Sequence, residues 1–193
     1  MVGIVPGLTG RLISSSFAHD LLPALDGYAP VPAIAARAIE RAASSSASAL
    51  GPSSGVRAIA DTLFVPLLRA LGFVVTRRAD ESHRCVLGLA PASRVETGRT
   101  TAVVVGYNQP LSAAWRESVR RGVAADARWA LCCNGVALRL VDSHRTWSRD
   151  YLEFDVSVLG ESQVTQSALW SLAHAESLAA PRPLLERAIG LSA

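Results

Sequence analysis

The chain has no lysine; all 19 of its basic residues are arginine. Every mechanism that needs a titratable ammonium is thereby excluded, from Schiff-base chemistry to the lysine of a phosphate-binding loop. Cysteine is nearly as scarce. Three residues, two of them adjacent at Cys132 and Cys133, cannot build a disulfide framework. Neighbours on a strand point to opposite faces, so these are expected as buried thiols. Zinc-type spacing is missing as well, and no metal or other cofactor is expected. The four histidines, His19, His83, His144 and His174, are scattered, and no Gly-x-Gly-x-x-Gly stretch occurs. No apolar run approaches the roughly 18 residues of a membrane span. The apolar stretch Met1 to Gly10 has no basic leader before it and is followed by the polar break at His19-Asp20, so no secretory signal is expected either. These absences together read as a cytoplasmic protein without a membrane partner.

What is there is a foldable globular composition: 193 residues, 50% hydrophobic, 18% charged, net charge +3. The strongest local signal is Asn134-Gly135, set between the apolar runs Trp129 to Cys133 and Val136 to Val141. An Asn-Gly pair tolerates the positive φ of a tight hairpin turn. A short strand follows, with Leu152, Phe154 and Val156 on one face. Upstream, Val56, Ile59, Ala60, Leu63, Phe64, Leu67, Leu68 and Leu71 recur at helical spacing, closed by Gly72 and kinked or broken near Pro66. Asp61, four residues after Arg57, predicts a local ion pair. Phe73 to Arg77, Arg84 to Leu89 and Thr100 to Tyr107 read as three strands. Leu111, Trp115, Val119, Gly122 and Val123 mark another helix, with Glu117 and Arg121 paired at i,i+4.

The first fifty residues read as a helical lead: one helix before Pro23 and a short one around Ile34 to Ile39. Ser44 to Ser48 and Gly51 to Gly55 read as a linker. The main unit then spans residues 51–180, ending in a helix from about Ser162 to Leu178, and 181–193 is a Pro-punctuated tail. The element order predicts an α/β fold with a mixed sheet flanked by helices.

Charge is unevenly spread. Between Arg77 and Arg121 stand eight arginines against Asp80, Glu81, Glu96 and Glu117. Arginine suits bidentate contact with phosphate. The plainer reading is that such side chains merely solvate the surface of an arginine-only, alanine-rich chain.

Several segments resemble the nuclease-like N-terminal region of type IIG restriction enzymes fused to adenine-specific DNA methyltransferases. They are Leu71-Gly72-Phe73, Arg128-Trp-Ala-Leu131, Asn134-Gly135, Leu138-Arg-Leu-Val-Asp142, Arg145-Thr-Trp-Ser-Arg149 and Tyr151-Leu-Glu-Phe-Asp155. The resemblance covers roughly residues 50 to 175 and implies a restriction-endonuclease-like fold of the PD-(D/E)XK type. That fold places an acid at the end of its second strand and acid-x-lysine on its third, to hold a divalent metal and activate water. Here the second strand ends in Ala90-Pro91. The third, running from Thr101 to Gln109, has neither acid nor lysine. No catalytic residues are carried over, and the Asn-Pro-Pro-aromatic motif of the methyltransferase domain is also missing.

The expectation is a catalytically degenerate nuclease-fold domain of a restriction-modification system, contacting duplex DNA through phosphates or docking a methyltransferase subunit. Arg77, Arg78 and Arg84 near the first hairpin and Arg116, Arg120 and Arg121 on the middle helix are the predicted DNA contacts. Two alternatives stay open: a protein-interaction module that does not bind DNA, and a fragment of a longer methyltransferase. Glu96 or Asp142 would be the acids to examine if metal-dependent cleavage were found. Glu153 and Asp155, on one face of a strand, are expected to serve the structure.

Overall fold

The computed structural model describes residues 4–95 and 99–192. Glu96 lies outside them. One seven-stranded mixed sheet runs through the molecule in the order β1-β7-β6-β5-β4-β3-β2. Its strands are β1 (Leu8–Gly10), β2 (Phe73–Asp80), β3 (Arg84–Pro91), β4 (Thr100–Val105), β5 (Trp129–Cys133), β6 (Ala137–Asp142) and β7 (Tyr151–Asp155). Neighbours pair antiparallel except β4 and β5, which are parallel and joined across helix α5 (Leu111–Ala124). A parallel pair needs such a crossover because its strand ends lie at opposite edges. β4 is rich in β-branched side chains, and β5 is buried at every position, as a central strand covered on both faces should be.

The two faces are covered unequally. Leu87, Leu89, Val104, Leu131, Leu140 and Phe154 belong to the large core, packed beneath α2 (Ala33–Ala49), α4 (Val65–Ala70) and α7 (Gln163–Ala173). The opposite face gives Val103, Cys132 and Val141 to a smaller cluster under Leu111, Ala114 and Val119 of α5. Cys132 and Cys133 thus face opposite ways, and burial pushes both thiols up to about 12.

The hairpin is present, displaced by one residue. Asn134 N–H donates to Ala137 O at 3.4 Å, which leaves Gly135 and Val136 as the central residues, with Gly135 at φ +88°. Asn134 works from the flank. Its Oδ1 accepts from Val136 N–H and Ala137 N–H at 3.1 and 2.8 Å, and its Nδ2 donates to Gln109 O at 2.8 Å. A Cβ on Gly135 would stand 2.8 Å from the Tyr107 ring, so this turn requires glycine twice over.

Four expectations are corrected. Ser44 to Ser48 is not a linker: α2 continues to Ala49, with Ser46 and Ser48 hydroxyls donating to carbonyls one turn back. The 181–193 tail contains helix α9 (Leu184–Ser192), whose Leu185 and Ala188 are fully buried. The first fifty residues are not purely helical, since β1 pairs with β7, and Leu8, Phe17 and Ile39 join the large core. The helix from Val56 is present with the expected irregularity before Pro66, as α3 (Val56–Ile59), a π-helical turn at Ala60–Phe64 and α4, but the Arg57–Asp61 pair expected on it does not form. Pro66 cannot donate to the preceding turn, and the widened turn absorbs that loss. It also carries Arg57 and Asp61 off a common stripe. Arg57 pairs with Asp80 at 3.1 Å and Asp61 with Arg78 at 2.5 Å, instead of with each other.

Candidate functional site

The sheet register separates the six predicted arginines into two groups. Arg78 stands opposite Leu87, a residue of the large core, and reaches Asp61 and Asp80 on that side. Arg77 stands opposite Gly88, and Arg84 opposite Val105, which places both on the α5 side. Arg116, Arg120 and Arg121 lie on α5 itself. The structure therefore gathers Arg84, Arg120 and Arg121 and leaves Arg78 on the other face.

Two carboxylates organise this gathering. Glu117 accepts from Arg120 at 2.6 Å and Arg121 at 2.7 Å, and lies 3.8 Å from Arg84. Glu81, in the turn between β2 and β3, accepts from Arg84 at 2.5 Å and Arg121 at 2.9 Å. The expected Glu117–Arg121 pair is thus one edge of a lattice that ties α5 to the β2–β3 turn. Arg77 and Arg116 have no ion-pair partner among the described residues. Most of these side chains are exposed, and exposed pairs contribute only ~0–1 kcal/mol each. The lattice therefore sets charge and geometry more than it holds the fold.

Glu117 is the exception in burial, with its side chain 14% exposed. Its carboxyl is held down to about 2, chiefly by the Arg120 hydrogen bond, with burial acting in the opposite sense and Arg121 adding to the depression. A carboxyl depressed in the folded state stabilises fully above its ordinary value of 4.5, and that stabilisation is lost as pH falls through about 2. Allowing for solvent screening of its partners, the contribution is on the order of 1–2 kcal/mol. Denaturant melts of the protein and of Glu117→Gln should differ by that amount at neutral pH and converge near pH 2.

The acids of β6 and β7 are engaged. Asp142 is 3% exposed, faces Arg128 at 3.3 Å and Arg145 at 3.8 Å, and accepts from His144 N–H at 3.0 Å. Glu153 is paired with Arg139 at 2.7 Å, and the Arg139 guanidinium sits 3.7 Å over the Tyr151 ring. Asp155 caps the short helix α6 (Val156–Leu159) through Ser157 N–H at 2.8 Å. Among the described residues no three His, Cys, Asp or Glu side chains gather as a metal site. The end of β3, where the resembled fold would carry its first acid, holds Ala90 and Pro91, and the interior of β4 holds Val103 and Val104, all buried.

Two further features escaped the sequence reading. A cleft of about 490 Å³ opens beyond the carboxyl ends of the parallel pair, between Tyr107, Gly135, Ser46, Thr9 and Glu153. Its two acids, Glu153 and Asp155, are those already engaged above. Gly51-Pro-Ser-Ser-Gly55 has the Gly-x-Ser-x-Gly spacing of a hydrolase elbow, but it joins two helices, and Ser53 projects into solvent instead of capping a strand. Its neighbour Ser54 serves the turn, accepting from Gly51 N–H at 2.9 Å.

Among the described residues no helix is long and apolar enough to cross a membrane. Comparison with known proteins finds no matching family model, curated protein or solved structure.

Proposed function

We propose that the chain is a catalytically degenerate nuclease-fold domain of a DNA restriction-modification system, and that it binds duplex DNA across its α5 side. The observation that carries this reading is the charge arrangement there: Arg77, Arg84, Arg116, Arg120 and Arg121 stand on one side of the sheet, with Glu81 and Glu117 as the carboxylates among them. The excess is positive, and each guanidinium has more N–H donors than the carboxylates take, which leaves some for phosphate oxygens. Phosphate contacts of this kind position a protein on DNA without reading its sequence.

The element order supports the nuclease-fold part. A helix precedes three antiparallel strands, and α5 then leads to a strand parallel to the third. This is the order that the resemblance implies, with apolar side chains where its acids and lysine would stand. A methyltransferase subunit is the partner that the same resemblance implies, and DNA would be shared with it. The reading is tested by titrating labelled duplex DNA with the protein and with an Arg77→Ala, Arg116→Ala variant at two salt concentrations. Loss of affinity and of salt dependence in the variant supports it; no binding by the parent protein rejects it.

A further inference from the structure

The loop between β6 and β7 displays an exposed large aromatic side chain. Trp147 is 81% exposed, although Trp129 in the adjacent β5 is 3% exposed. The loop is not a loose tail that happens to contain a tryptophan. Arg145 N–H donates to Asp142 O at 3.3 Å, Ser148 N–H to Arg145 O at 3.1 Å, and Asp150 N–H to the Ser148 hydroxyl at 3.1 Å. The Ser148 hydroxyl in turn donates to the Asp150 carboxylate. Buried Asp142 anchors the stem through Arg128, Arg145 and His144 N–H. A hydrogen-bonded turn thus holds a large apolar ring in water.

The charge around the ring has one dominant sign. Arg145 and Arg149 flank Trp147 within the loop, and Arg149 has no ion-pair partner among the described residues. Arg145 also lines a cleft of about 420 Å³ together with Arg11, Ser14 and Asp150. Arg11 reaches this cleft because its N–H is tied to Tyr151 O at 2.9 Å, where β1 ends against β7. Two guanidinium groups from separate segments therefore border one cleft, and one of them, Arg145, stands two residues before Trp147 in the same turn. The carboxylate there, Asp150, keeps its charge while accepting from Ser148, so the cleft sets two guanidinium groups against one carboxylate.

We infer that Trp147 is a stacking platform for an unpaired nucleic-acid base, with Arg11, Arg145 and Arg149 taking the adjoining phosphates. An aromatic face stacks any base, and nearby arginines neutralise the backbone, which is the recurring chemistry of single-strand contacts. A protein partner would also accept a tryptophan and arginines, but the positive excess favours a polyanion. The inference rests on the nucleic-acid reading above for the class of ligand and on none of its residues. Gly122 of α5 packs on Ser143 at the foot of this loop, both of them buried.

The test uses the full chain, a short fluorescein-labelled single-stranded oligonucleotide of mixed sequence, and the corresponding duplex. Trp147→Ala should weaken single-strand binding by roughly 5- to 100-fold, with Trp147→Phe recovering most of the loss. Duplex affinity, set by the α5 side, should change less than about twofold. Because the ring is exposed, thermal melts of both variants should match the parent, and this separates lost stacking from lost folding. Equal single-strand affinity in Trp147→Ala overturns the inference. Duplex binding that is indifferent to Arg77 and Arg116 overturns the α5 reading alone.

Discussion

Phe154→Ala is expected to lower the stability of the protein by about 3–5 kcal/mol, read as a fall in the urea midpoint at unchanged slope. Phe154 is fully buried on β7 and stands opposite Leu138 of β6 and Leu8 of β1. Its ring is shared by three strands, and one of them, β1, has only three residues and only β7 to pair with. Removing it leaves a cavity that the sheet cannot close without losing register. A domain of this kind is stable by only about 5–15 kcal/mol in total, so the loss should approach unfolding. A cost below about 1 kcal/mol would show that β7 and β1 are not seated on the core as described.

The second large effect concerns salt. If each of the five α5-side arginines takes one phosphate, duplex affinity should fall roughly 10²- to 10³-fold between about 50 and 200 mM salt. Replacing Arg77 and Arg116 together should lower the salt slope by about two and weaken binding evenly across sequences. Arg78→Ala is the matched comparison. It removes one positive charge from the opposite face, where Arg78 is held by Asp61 and Asp80, and should leave the slope unchanged. A slope that also drops by about one in Arg78→Ala would mean that binding is spread over the whole surface.

Much of the sheet is legible in the residues. The Val-rich β4, the apolar β5 and the Asn134-Gly135 turn announce themselves because their local preferences agree with their tertiary surroundings. β1 does not, since three residues at a sheet edge have no periodicity to read. The serines of α2 mislead for a physical reason: their hydroxyls satisfy carbonyls inside the helix as readily as they would in a turn. Leu184, Leu185, Ala188 and Ile189 do carry a helical stripe, which the flanking prolines obscured.

The candidate site was legible only by composition. The sequence places Arg116, Arg120 and Arg121 on the outer face of a helix, but it cannot show that Glu81 reaches across to Arg121, 40 positions later. Nor can it show that a β-bulge between Val75 and Arg77 sets the faces on which Arg77 and Arg78 emerge. Residue spacing speaks for pairs within one helix or strand. Arg57 and Asp61 show how a single π turn defeats even that.

The most direct measurement is a titration of one labelled duplex with the protein and with Glu117→Gln in parallel, at about 50 mM salt. Glu117 neutralises Arg120, Arg121 and, at 3.8 Å, Arg84. If DNA lies on the α5 side, removing that carboxylate relieves repulsion with phosphate and frees guanidinium donors. The variant should then bind roughly 3- to 10-fold more tightly, despite its lower stability. Unchanged or weaker binding by Glu117→Gln, or no binding by either protein, would contradict the assignment of this surface to DNA.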